Sequence, residues 1–198
     1  MDAHAVFHAV KPVFESLKYR PYLEVEVRLG RHNGKFFDTN LGKETFDRIV
    51  DALKRYDGWE ETASEDTEVF IKGDIRMVLN EEQDSQEVHR KVKINKIDLN
   101  LKDRPLDARV AFAQEIPAPD FDTDTEMDSV RVRHRDMFLR KNLRIDCTTV
   151  QGGEVDPDAE DDTVFQVEME IVDPTKVNDD NDLFNILYKL QDILDTIK

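Results

Sequence analysis

Three short segments place charge at every second position. In Leu23-Glu24-Val25-Glu26-Val27-Arg28-Leu29 the even residues are Glu, Glu and Arg. In Phe165-Gln166-Val167-Glu168-Met169-Glu170-Ile171 they are Gln, Glu and Glu. Arg131-Val132-Arg133-His134-Arg135 does the same with arginine. Residues two apart on a strand share a face. Each segment therefore presents a row of charge opposite an apolar or mixed row. Ordinary solvation accounts for one such row. It does not account for carboxylates gathered on two strands and arginines on a third, since like charges on neighbouring strands repel unless something opposite lies between them. A hard divalent cation satisfies carboxylates, and a polyphosphate satisfies arginines. Two more alternations extend the set. Arg144 and Asp146 share a face in Arg144-Ile145-Asp146-Cys147, and Arg109, Ala111, Ala113 and Glu115 share one opposite Val110, Phe112 and Ile116.

These rows need strands to carry them. Two-residue alternation predicts strands over 21–30, 67–82, 86–102, 107–117, 129–137, 142–150 and 163–172. Helical spacing predicts helices over 2–18, which Pro12 should kink or interrupt, over 43–56, and over 182–197 with Asp182 as N-cap. Residues 119–128 and 151–162 are rich in Asp, with Pro or Gly, and read as solvated loops. If the strands close into a barrel, their apolar faces can pack outward against three amphipathic helices. The lumen is then charged, with space over Ala111 and Ala113.

Composition narrows the function. With 44 acidic and 28 basic residues in 198, the formal charge is −16. A protein that coats nucleic acid is normally basic, so any nucleic-acid chemistry here requires a concentrated local basic site. The one cysteine, Cys147, rules out an internal disulfide and a cysteine zinc site, and fits a reducing, intracellular setting. No apolar run is long enough for a membrane helix, and Met1–Phe14 lacks a basic signal-peptide start, so a soluble chain is expected. There is no phosphate-binding glycine loop.

The ordered set Leu-Glu-Val-Glu-Val-Arg-Leu-Gly at 23–30, Arg131-x-Arg133-x-Arg135, Leu-Arg-Ile-Asp at 143–146 and Val-Glu-Met-Glu at 167–170 resembles the metal-dependent RNA triphosphatases of fungal and large DNA virus mRNA capping, within the triphosphate tunnel metalloenzymes. In compact length the chain is most similar to the stand-alone chlorella virus type. The resemblance implies an α+β fold, a single domain over 1–198 with a closed eight-stranded antiparallel tunnel. It implies hydrolysis of the γ-phosphate of 5′-triphosphate RNA, with free nucleoside triphosphates as further substrates. Mg²⁺ or Mn²⁺ is the implied cofactor and an RNA guanylyltransferase the functional partner. By the same resemblance Glu24, Glu26 and Glu170 are the metal ligands, and Glu168 holds metal-bound water. Arg76, Lys91, Arg109, Arg131, Arg133 and Arg135 contact phosphate. Glu115 orients water or a basic side chain, and Asp66 and Asp146 are supporting acids.

Gln166 departs from the third glutamate of many fungal members, and Thr149 stands where the fungal-type segment has lysine. By parity Thr149 points to the apolar side. A cysteine phosphatase is excluded, because Cys147 lacks the arginine that a Cys-x₅-Arg loop requires. The alternatives are a tunnel enzyme acting on inorganic polyphosphate, thiamine triphosphate or free nucleotides, and a non-enzymatic acidic β-rich binding module. Calcium binding by the Asp-rich loops fits poorly, since neither loop has the EF-hand spacing.

Overall fold

The computed structural model describes residues 2–152 and 163–197. The expected loop at 151–162 therefore lies outside the described residues from 153 onward. Nine strands and three helices form: α1 (Ala3–Leu17), β1 (Leu23–His32), β2 (Phe37–Asp38), α2 (Lys43–Arg55), β3 (Glu61–Lys72), β4 (Ile75–Asn80), β5 (Ser85–Leu99), β6 (Asp107–Pro117), β7 (Ser129–Arg140), β8 (Leu143–Gly152), β9 (Val164–Ile171) and α3 (Asp180–Asp195). A short 3₁₀ turn, Pro174–Lys176, precedes α3.

The sheet runs β1-β6-β5-β4-β3-β7-β8-β9 and closes by antiparallel pairing of β9 with β1, giving an eight-stranded barrel. β2 adds a two-residue pairing to the end of β1. The predicted segment 67–82 is two strands: the chain reverses at Gly73, whose φ of +55° suits glycine. β3 also starts earlier than expected, at Glu61. Its first half, Glu61-Thr62-Ala63-Ser64-Glu65-Asp66, carries almost no apolar alternation and is held by pairing to β7.

The barrel is inside-out relative to ordinary small barrels. Val25, Val27, Leu29, Val110, Phe112, Ile145, Cys147, Val167 and Met169 point outward and are buried with Phe14 of α1, Ile49 of α2, and Leu190 and Leu194 of α3. Each such side chain contributes about 1.5–3 kcal/mol by leaving water. Cys147 is one of these packing residues, and its thiol pKa is pushed up by burial. Placing the apolar core outside frees the inner face for charge.

Two helix expectations are corrected. Pro12 does not interrupt α1, which runs unbroken from Ala3 to Leu17. Both Pro12 and His8, whose carbonyl loses its partner, are exposed, so water can satisfy the carbonyl. Asp179, not Asp182, caps α3: its side chain accepts from Asp182 N at 2.9 Å, while the Asp182 carboxylate accepts from Asn178 N at 3.0 Å. The first acid of the run stands extended, and that is the N-cap geometry.

Candidate active site

The inner faces of β1 and β9 form a carboxylate wall. Glu26 stands directly opposite Glu170, and Arg28 opposite Glu168. On the other flank of β1, Ala113 faces Glu24 and Ala111 faces Glu26, leaving the expected space. Three cations hold these acids. Lys91 Nζ lies 2.7 Å from Glu24 Oε2, 3.3 Å from Glu115 Oε1 and 3.9 Å from Glu26 Oε1. Arg28 Nη2 is 2.6 Å from Glu26 Oε1, and its Nε is 2.9 Å from Glu168 Oε1. Arg144 donates to Glu170 Oε2 at 2.5 Å and to Asp146 Oδ1 at 2.9 Å.

Charge is crowded even so. Burial, reinforced by Glu168, raises the Glu26 carboxyl to about 8. Burial raises Glu170 to about 7 against the pull of Arg144, and raises Glu24 despite Lys91. Burial pushes Glu168 upward too, but Arg28, Lys91 and Arg135 prevail and its pKa is lowered. Glu115 falls to about 2: burial opposes ionisation, but hydrogen bonding from His89 and the charge of Lys91 outweigh it.

The facing wall is basic. Arg131, Arg133 and Arg135 on β7 stand opposite Val69, Thr67 and Glu65 of β3. Arg135 Nη1 reaches Glu65 at 3.6 Å and Asp146 at 3.7 Å. Among the described residues no carboxylate lies within 4 Å of Arg131 or Arg133. Burial and the neighbouring Arg135 push the Arg133 guanidinium down to about 10. Arg76 turns back to its own hairpin, donating to the carbonyls of Gly73 at 2.9 Å and Ile75 at 2.8 Å, and burial and Arg131 lower its pKa. Among the described residues, the buried donors Arg135 Nε and the Thr148 hydroxyl in the lumen have no hydrogen-bond partner.

Thus Glu24, Glu26, Glu170, Glu168, Glu115, Lys91, Arg131, Arg133, Arg135 and Asp146 converge on the lumen. Three expected residues do not, one of them Arg76, held on its own hairpin. Asp66 is on the outer face, its Oδ1 2.9 Å from His134 Nδ1, because the Glu65–Arg135 register sends odd residues of β3 inward. Glu65 holds the inner position instead. Arg109 faces inward but is engaged at the rim: its Nε is 2.5 Å from Asp98 Oδ1, and its guanidinium lies 4.7 Å from the Phe37 ring centroid. That ring packs on Gly30, where a Cβ would come within 2.6 Å of it.

Arg28, Arg144, Glu65 and His89 join the site without having been singled out as functional. For Arg28 and Arg144 the signal was present, since both share a face with expected acids. Glu65 and His89 lay in segments whose parity becomes clear only from pairing.

The donor set suits a hard divalent cation: buried carboxylate oxygens, mutually repelling, with raised pKa values. Among the described residues no three acidic or histidine side chains are already gathered as a cage. Glu24, Glu26 and Glu170 each touch a basic neighbour instead.

The family model of the mRNA capping enzyme, beta chain, matches residues 61–186. The chain belongs to this family. It is thereby a phosphohydrolase of the mRNA capping RNA triphosphatases. Its fold is similar to that of the S. pombe Pct1 RNA triphosphatase, with a TM-score of 0.76 at 12% identity, covering 98% of this chain and 91% of that one. It is also similar to the Mimivirus capping enzyme triphosphatase, with a TM-score of 0.67 at 15% identity, covering 97% and 96%. No curated protein matches the chain. Among the described residues no helix is long and apolar enough to cross a membrane.

Proposed function

We propose that the lumen binds the 5′-triphosphate end of RNA and releases its γ-phosphate, with Mg²⁺ or Mn²⁺ held by Glu24, Glu26 and Glu170. The observation that carries this reading is the pairing of a crowded carboxylate wall with a wall bearing two arginines, Arg131 and Arg133, that have no carboxylate partner among the described residues. Such a lumen calls for a cation on one side and a polyanion on the other.

A divalent cation held by Glu24, Glu26 and Glu170 would supply Lewis-acid neutralisation of charge at the terminal phosphate. The chain's own groups do the rest. Arg131, Arg133 and Arg135 stabilise charge on the transferring group and the departing diphosphate. Lys91, held by Glu24 and Glu115, adds a cation, and Glu115 at about 2 stays ionised to keep it in place. Glu168, kept ionised by Arg28, Lys91 and Arg135, accepts a hydrogen bond from water. Arg144 and Asp146 orient Glu170. Arg76 and Arg109 reach phosphate only after leaving their present partners.

In this reading 1–198 acts as one tunnel domain of the compact chlorella virus type. The chain works inside the cell, and its diphosphate-ended product passes to an RNA guanylyltransferase. Free nucleoside triphosphates present the same three phosphates and are accepted too. The test is phosphate release from γ-labelled triphosphate RNA with and without magnesium, alongside ATP and tripolyphosphate. Metal-dependent release from RNA is expected. No release from RNA with magnesium or manganese contradicts the proposal.

A further inference from the structure

We propose that Lys93 and Lys96, on an overhang of β5, grip the RNA backbone next to the triphosphate and so favour RNA over free nucleotides. This rests on the reading that the lumen takes triphosphate RNA.

From Val88 to Ile97 the chain carries five basic or histidine residues (His89, Arg90, Lys91, Lys93 and Lys96) and no acid, on a molecule of net charge −16. β5 pairs with β4 only as far as Arg90; the last bond on that side runs from Lys91 N to Asp74 O at 2.8 Å. Beyond it β5 has β6 alone as a neighbour, so its upper part stands above the β3–β4 hairpin as one side of an open notch.

The register fixes which side chains face inward there. Lys91 is opposite Glu115, Lys93 opposite Ala113 and, after a bulge between Lys93 and Asn95, Lys96 opposite Ala111. The bulge matters: without it Lys96 would share the outer face with Ile97's neighbours. The three lysines therefore form one inner row, roughly 15 Å long at about 3.3 Å per residue, that borders the notch; across Ala113 and Ala111, Lys93 and Lys96 stand level with Glu24 and Glu26. The β6 neighbours of Lys93 and Lys96 are alanines, and both lysines are exposed.

Pairing separates these lysines from most others. Lys43, Lys54, Lys72, Lys176 and Lys189 each form an ion pair with an aspartate. Lys93 and Lys96 are exposed, and among the described residues neither has a carboxylate within 4 Å. Asp98, the acid near Lys96, is itself held by Arg109. Lys93 and Lys96, which continue the row from Lys91, meet the polyanion that leaves the phosphate site. For 5′-triphosphate RNA this is the phosphodiester chain attached beyond the α-phosphate. A nucleoside triphosphate has no phosphodiester beyond its α-phosphate for them to hold.

The test is the double variant Lys93→Ala/Lys96→Ala, with melts to show an unchanged fold. The KM for a 20-nucleotide triphosphate RNA should rise about tenfold, while ATP and tripolyphosphate hydrolysis stays at the parent level. Anisotropy of labelled triphosphate RNA on the metal-free protein gives an independent readout: the slope of log affinity against log salt should become shallower by about 0.7 per lysine removed. Equal losses on RNA and ATP would overturn the proposal, by placing both lysines in the triphosphate site. Unchanged RNA kinetics and salt slope would overturn it as well. A parent protein that hydrolyses tripolyphosphate but not triphosphate RNA is a different failure, that of the functional reading.

Discussion

The two walls of the lumen solve opposite problems in different ways. The carboxylate wall of β1 and β9 carries its own counter-ions: Lys91, Arg28 and Arg144 touch Glu24, Glu26, Glu168 and Glu170 at 2.5–2.9 Å. Among the described residues the β7 wall has none for Arg131 and Arg133. In the proposed function the first wall exchanges protein cations for a metal, and the second takes an anion. Stability and chemistry should therefore respond differently when each wall is altered.

The largest effect is expected on the carboxylate wall. Glu26→Gln and Glu170→Gln should each cut phosphate release about 10²-fold or more, since an amide oxygen binds a hard cation far less well than a carboxylate. Folding should persist or improve slightly in the metal-free protein, because both carboxyls already carry raised pKa values. Single-turnover release with parallel melts checks this. A large loss of melting temperature would mean that the carboxylates serve the fold.

On the basic wall, Arg133→Ala should lose about 10²–10³-fold in kcat. Its melting temperature should match or exceed that of the parent, as a crowded, buried cation is removed. Arg135→Ala should behave differently, with a lower melting temperature, because Glu65 and Asp146 lose a partner. Equal melting changes in the two variants would erase the distinction between free and engaged arginines.

pH provides a gentler probe. Glu26 at about 8 and Glu170 at about 7, with Glu24 also raised, hold protons in the folded chain that the unfolded chain has released. Stability of the metal-free protein is therefore highest near the ordinary carboxylate range and is lost as pH rises through about 7 to 8. Glu168 and Glu115 act the other way, but below about pH 4. Melts between pH 6 and 9 should fall in the parent and flatten in Glu26→Gln. The smallest effects belong to the outside. Asp66→Asn should keep near-parent activity, and Cys147→Ser should keep activity with a packing loss of about 1 kcal/mol. A strong activity loss in either would bring the outer face into the mechanism.

Much of this was legible in the chain because strand parity is strict. Glu24, Glu26, Asp146 and Glu170 each alternate with a buried apolar residue, so their common face follows from spacing alone. Asp66 shows where parity failed. Its segment, Ser64-Glu65-Asp66-Thr67, is polar at every position, so only the pairing with β7 decides which residue points in. Arg109 shows a second limit: its face was right, but its engagement with Asp98 and Phe37 is a tertiary contact that no spacing encodes. The Gly73 turn was hidden inside an apolar run that reads as one strand.

The division of labour between the walls is tested most directly by ligand-induced melting shifts on the parent, Glu26→Gln and Arg133→Ala, with Mn²⁺ and tripolyphosphate added separately. The account predicts that Glu26→Gln loses the Mn²⁺ shift and keeps much of the tripolyphosphate shift, and that Arg133→Ala does the reverse. If both variants respond to both ligands as the parent does, neither wall has the role assigned to it.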